Sequence, residues 1–289
     1  HYARGVALQA LGRNDDAVAA WREALRVKPG YFPALGGIGA LELDAGNFEA
    51  AAEAFTAAIA QKPDFADGHY NLGLAYEGLK RPEDALKSLQ QAERLAPRDL
   101  DVHLELASLL VRMGRFEEAG PHVDVALEIA PTEPDALRLV AVLRTREGKH
   151  AEAAAAYQKI LEANADDADA RLGLARALVR ADRAEEALPH LERLAKERPD
   201  EAVIWSEWGG ALTKLGKVDG PEGALARLDH ALELKADLLS ARVRRIAALT
   251  AGKRCKEARS AHAELVAAVA DAREQADMAL GSCAKGKGK

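Results

Sequence analysis

The side chains best equipped for recognition chemistry in this sequence are five arginines and a lysine: Arg112, Arg138, Arg146, Arg176, Arg180 and Lys214. A guanidinium is planar and permanently charged, and its fork takes a carboxylate through two parallel hydrogen bonds. Gathered on one face, these six would suit a peptide or protein segment with acidic side chains, or a free C-terminus. Dispersed, they are solvated cations paired with local acids such as Glu147 and Glu207. Cys255 and Cys283 are the second candidate, two thiols that an oxidising compartment would join. Catalysis has little to work with. There is no HExxH, no GxSxG and no spaced CxxC pair. The stretch GKVDGPEG at 216–223 has valine where a phosphate loop needs Ser or Thr, and no strand precedes it, so an insertion between helices is expected. His69 and His103 occupy equivalent positions and could form a weak metal pair, but a semi-buried residue at a helix start is the simpler reading. Trp205 and Trp208 could stack on a ligand, although packing in the core accounts for them as well. No cofactor and no catalytic residue is expected.

The elements that must position these groups are set by a period. Alanine stands at 17, 51, 85, 119, 153 and 187, and proline at 29, 63, 97, 131 and 199, with Ala165 in the skipped place. A fixed spacing of 34 residues marks a repeat array. Within one repeat, residues 67–78 form one helix and 82–96 a second, joined near Lys80–Arg81. Leu72, Gly73 and Tyr76 share a face of the first, and Ala85, Leu89 and Ala92 share a face of the second. Pro97 ends the pair, because proline lacks the N–H and clashes with the preceding turn.

This pattern resembles the tetratricopeptide repeat family. Leu72, Gly73, Tyr76, Ala85, Leu89, Ala92 and Pro97 match its signature, as do Ile38, Gly39, Ala51, Phe55, Ala58 and Pro63 one repeat earlier. The match weakens toward the C-terminus: the fifth repeat has Ile160 and Ala165 in place of the small residue and proline, the seventh carries three extra residues, and the eighth, the most divergent, keeps Leu249, Ala258, His262 and Leu265. The resemblance implies an all-α, right-handed α-solenoid of about eight helical hairpins over 1–270, the first truncated, then a C-terminal capping helix at 271–281 and a flexible basic tail at 282–289. It also implies that the first helix of each repeat lines a concave groove. On that basis Gly36, Gly37, Tyr70, Asn71, Glu77, Arg112, Arg138, Arg146, Arg176, Arg180 and Lys214 are the expected partner-binding residues. Gly36 and Gly37 either leave room for a bound backbone or let repeats pack tightly. Asn71 matches one asparagine of the clamp with which some family members hold an acidic C-terminus, but Gly36 and Leu104 stand where its lysines would be.

The helices between Cys255 and Cys283 should run antiparallel and bring the sulfurs together. A disulfide here would close a loop worth roughly 3 kcal/mol in the chain-entropy model. It would also indicate a periplasmic or exported protein, the alternative being a cytoplasmic chain with two thiols. The net charge of −6 argues against nucleic acid as a partner. That charge is uneven, with 13 Lys+Arg against 21 Asp+Glu in residues 1–133 and 27 against 25 in the remainder. No apolar run is long enough for a transmembrane segment. The expected function is a non-catalytic scaffold holding a peptide or protein, in keeping with assembly of a bacterial secretion, pilus or outer-membrane complex. The alternative is the targeting arm of an enzyme whose catalytic domain lies outside this chain.

Overall fold

The computed structural model describes residues 1–284, and every regular element among them is helical. Two compact units divide the chain, His1–Leu139 and Val140–Lys289. The first holds four hairpins: α1 (Tyr2–Ala10) with α2 (Asn14–Val27), α3 (Phe32–Asp44) with α4 (Phe48–Gln61), α5 (Ala66–Gly78) with α6 (Pro82–Leu95), and α7 (Leu100–Arg112) with α8 (Phe116–Ile129). The boundary falls within α9 (Pro134–Arg146). The second unit continues through α10 (His150–Ala163), α11 (Ala168–Arg180), α12 (Ala184–Glu197), α13 (Ala202–Lys214), α14 (Ala224–Leu234), α15 (Leu239–Ala251), α16 (Cys255–Ala268) and α17 (Arg273–Leu280).

The recurring alanines are the contact points. Ala17, Ala51, Ala85, Ala119, Ala153 and Ala187 are all fully buried. One turn along, a large residue of the second helix fills a notch left by glycine in the first. A Cβ on Gly73 would stand 2.7 Å from Leu89 Cγ, and one on Gly39 would stand 3.0 Å from the Phe55 ring. Gly209 and Leu228 repeat the pair in α13 and α14. The partners there lie 19 residues apart instead of 16, which absorbs the three extra residues of the 216–223 loop. That loop tucks Val218 into the core.

Each hairpin turns on one residue with left-handed backbone. Gly12, Gly46, Gly114, Gly148 and Gly216 have φ between 70° and 76°, and Lys80, Asp182 and Lys253 take the same place at 57–58°. The next residue's N–H then reaches back five positions, as in Arg13 to Leu8 at 2.9 Å and Arg254 to Leu249 at 2.8 Å, closing the last turn of the first helix. Only glycine enters this conformation without a Cβ penalty. Between hairpins a second device recurs. An N–H donor in the first turn of a helix bonds the carbonyl six residues back: His69 to Pro63 and His103 to Pro97, each at 3.0 Å, and Trp205 to Pro199 at 2.7 Å. The two equivalent histidines thus each anchor a turn.

At the C-terminal end α17 packs on α15 and α16. Cys283, buried in a 3-10 turn at Gly281–Cys283, is bonded to Cys255 at the start of α16, with Cα atoms 5.0 Å apart. Of the tail expected at 282–289, Ser282 and Cys283 belong to this ordered turn, and residues 285–289 lie outside the described residues.

Two stability changes are expected. Ala119→Trp overpacks a contact with no spare volume and should lower unfolding free energy by about 1–3 kcal/mol in denaturant titrations. Lys253→Gly relieves a left-handed residue that has no side-chain partner and should raise it by up to about 1 kcal/mol.

Candidate interaction surface

First helices of successive hairpins touch one another, α1 with α3 and α3 with α5 in the first unit, α11 with α13 and α13 with α15 in the second. Each unit thus presents a face built of first helices, and the predicted site residues sit on these helices. Four of the cations end their helices. Arg112 closes α7, Arg146 α9, Arg180 α11 and Lys214 α13, each 34 residues after the last.

In the first unit the face is acidic. Arg112 donates to Glu77, to Glu105 at 3.3 Å and to Ser108 at 2.6 Å, so its guanidinium is engaged within the molecule. Burial, with Glu105 beside it, pushes the Glu77 carboxyl up to about 7 against the pull of Arg112. Its Oε1 is buried without a hydrogen-bond donor. Burial together with Glu105, Asp101, Asp99 and Glu77 raises the Tyr70 hydroxyl to about 12. Glu77 and Arg112 line a cleft of about 440 Å³ with Lys80, Pro82, Leu109 and Met113. Asn71 spends its amide on the Asp67 carbonyl of its own helix at 2.8 Å. Arg138 pairs with Asp135 one turn away at 2.7 Å. The space beside Gly37 is filled by the Trp21 ring, 2.8 Å from where a Cβ would stand, and that beside Gly36 by Phe65 at 3.3 Å. The two glycines therefore serve packing within the molecule, and the room expected above them for a bound backbone is taken by its own rings.

In the second unit the balance is reversed. Glu207, on α13 and nearly buried, accepts from Arg176 Nε at 2.8 Å and from Arg244 Nη2 at 2.6 Å. Arg244 crosses Gly210, where a Cβ would come within 3.0 Å of its Nε, and also donates to the buried Ser206 hydroxyl at 2.8 Å. Two guanidinium groups thus share one carboxylate. Beside them Arg180 is exposed and has no ion-pair or hydrogen-bond partner among the described residues. Arg176, Arg180 and Glu207 line a cleft of about 460 Å³ together with Val142, Thr145 and Tyr157. Lys214 is held by Asp182 at 2.7 Å and by the Val179 carbonyl at 2.8 Å. Glu147, a candidate partner for the arginine row, binds Arg144 and Lys149 instead. Trp205 and Trp208 stack at 5.5 Å against the core, and Arg227 covers Trp208.

The family model of the cilia and flagella-associated protein 70 C-terminal domain, built of tetratricopeptide repeats, matches residues 2–202. The chain belongs to the tetratricopeptide repeat family. Solved structures agree on the tetratricopeptide fold. A tetratricopeptide repeat protein from Parabacteroides merdae superposes with a TM-score of 0.65 at 20% identity, over 88% of this chain and 99% of its own. YrrB, described as a tetratricopeptide protein with an unusual peptide-binding site, gives 0.57 at 19% identity, over 64% of this chain and 95% of its own. Pseudomonas aeruginosa pilF gives 0.60 at 20% identity, over 68% and 90%. Identities this low establish the fold alone. No curated protein matches the chain by sequence. Among the described residues no helix is long and apolar enough to cross a membrane.

Within this tetratricopeptide array, the sharing of Glu207 by two arginines and the acidic setting of Tyr70 both depend on side chains one repeat away, which the 34-residue period does not specify. A pH dependence follows from Glu77. The folded chain keeps its proton to about pH 7, whereas an unfolded chain releases it near the ordinary carboxylate value. Its contribution to stability is complete below that ordinary value, is lost as pH rises to about 7, and is constant above. Urea titrations from pH 5 to 8 should show Glu77→Gln losing about 1–3 kcal/mol less than the parent over this window. Parallel pH profiles would remove Glu77 as the titrating group.

Proposed function

We propose that the chain is a non-catalytic interaction scaffold and that its second unit holds an acidic peptide segment or a free C-terminal carboxylate. The observation that carries this reading is the charge imbalance at Glu207. Arg176 and Arg244 share that single carboxylate, and the unpartnered Arg180 stands at the same cleft. An incoming carboxylate meets a guanidinium fork that breaks no internal ion pair to receive it. The remaining predicted residues take different parts. Arg146 and Lys214 extend the row of helix-final cations, while Tyr70, Glu77 and Arg112 offer the first unit's face to a partner segment of mixed or basic character. The peptide-binding description attached to YrrB is in keeping with this use of the fold.

The Cys255–Cys283 disulfide supports an exported or periplasmic setting, and so an envelope assembly role in the manner of secretion, pilus or outer-membrane machinery. Binding is tested with a fluorescein-labelled oligoglutamate peptide, with free and amidated C-termini, followed by anisotropy at low and high salt. Arg180→Glu should weaken capture at least tenfold while leaving the melting temperature unchanged, because Arg180 holds no ion pair. Equal affinity of parent and variant would overturn the assignment of this cleft.

A further inference from the structure

Three helices of the first unit bring together a side-chain set that the interaction surface does not use. Glu93 of α6, His103 of α7 and His122 of α8 converge with their ligand atoms all within 4.8 Å of one another. His103 is the most buried, its side chain 4% exposed. Its Nε2–H donates to the Pro97 carbonyl at 3.0 Å. That bond fixes the neutral tautomer and leaves the Nδ1 lone pair aimed inward. His103 Nδ1 faces His122 Nδ1 at 3.2 Å, His122 Nδ1 faces Glu93 Oε1 at 3.3 Å, and the third side, His103 to Glu93, is 3.9 Å. Without an ion, a single proton on His122 Nδ1 must serve both acceptors, each at the long limit for a hydrogen bond.

We propose that Glu93, His103 and His122 form a binding site for one divalent transition-metal ion of the zinc type. Around a tetrahedral ion with bonds of about 2.0–2.1 Å, ligand atoms stand about 3.3–3.4 Å apart, close to the triangle formed here. The donor set is two imidazole nitrogens and one carboxylate oxygen. It suits zinc, copper, nickel or cobalt and is poor for magnesium or calcium, which require a shell of oxygens. Binding moves the His122 proton from Nδ1 to Nε2, so that both Nδ1 atoms and the carboxylate donate to the ion. His122 and Glu93 remain partly exposed, at 18% and 30%, leaving a side open for water as fourth ligand. The second-sphere bond from His103 to Pro97 is the same turn-anchoring bond that His69 makes one repeat earlier. The site therefore arises where the recurring anchor meets a histidine on α8. Its consequence is mechanical, because the ion would tie α6 of the third hairpin to both helices of the fourth.

Co²⁺ and Zn²⁺ are the probes, added to the full chain after chelator treatment. One Co²⁺ per chain should bind with the intense visible absorption of a four-coordinate ion, be displaced by Zn²⁺, and raise the melting temperature by mass action. His122→Gln, which keeps a hydrogen-bonding group and leaves the buried His103 in place, should weaken binding about tenfold or more and abolish that spectrum. Glu93→Gln is the second variant and should likewise weaken binding. No uptake by the folded parent chain, a six-coordinate spectrum, or equal uptake by His122→Gln would overturn the site.

Discussion

The structure depends on close contact between two helix backbones at a point where neither can carry more than a methyl group. Six alanines 34 residues apart have no exposed surface, and where glycine stands opposite, a leucine or an aromatic ring occupies the space its Cβ would need. Dispersion forces and apolar burial then act over short distances with almost no voids. The register follows from this. A large residue can enter its notch only if the partner helix arrives at one height, and the left-handed turn residue fixes that height in every hairpin. Even the three-residue insertion at 216–223 restores the contact between Gly209 and Leu228.

Because the packing repeats, the positions it leaves outward repeat as well. The helix-final cations are placed by the same arithmetic as the buried alanines, yet their chemical fates differ. Arg112 is held by Glu77 and Glu105, Lys214 by Asp182, and Arg180 by nothing among the described residues. The two units consequently present faces of opposite character on the same framework, which accords with the uneven distribution of charge along the chain.

This divides what could be read in advance from what could not. The hairpins, their order, the proline stops and the meeting of the cysteines were legible, because each depends on residues inside one repeat or on two adjoining helices. Glu207 was expected among the acids that hold the arginines, but the particular pairs were not legible. Arg176 finds Glu207 and Arg112 finds Glu77 across 31 and 35 residues, and which acid is within reach depends on rotamers that periodicity does not specify. Gly36 and Gly37 illustrate the same limit, since an absent side chain signals a close approach without saying whether Trp21 or a bound segment makes it. His122 was weakly marked. Its counterparts in the adjoining repeats are Ser88 and Ala156, and the Pro121–His122 pair returns only two repeats on, as Pro189–His190.

The bond between Cys255 and Cys283 gives the last helix a property the others lack. Helix α17 has no partner helix of its own to form a hairpin; it packs on α15, α16 and the short turns beside it, and a covalent link fastens the turn that follows it to α16. Where thiols stay reduced, the same sequence would have that end merely docked, with the apolar side of α15 intermittently uncovered. Redox environment would then set how firmly α17 is held against α15 and α16.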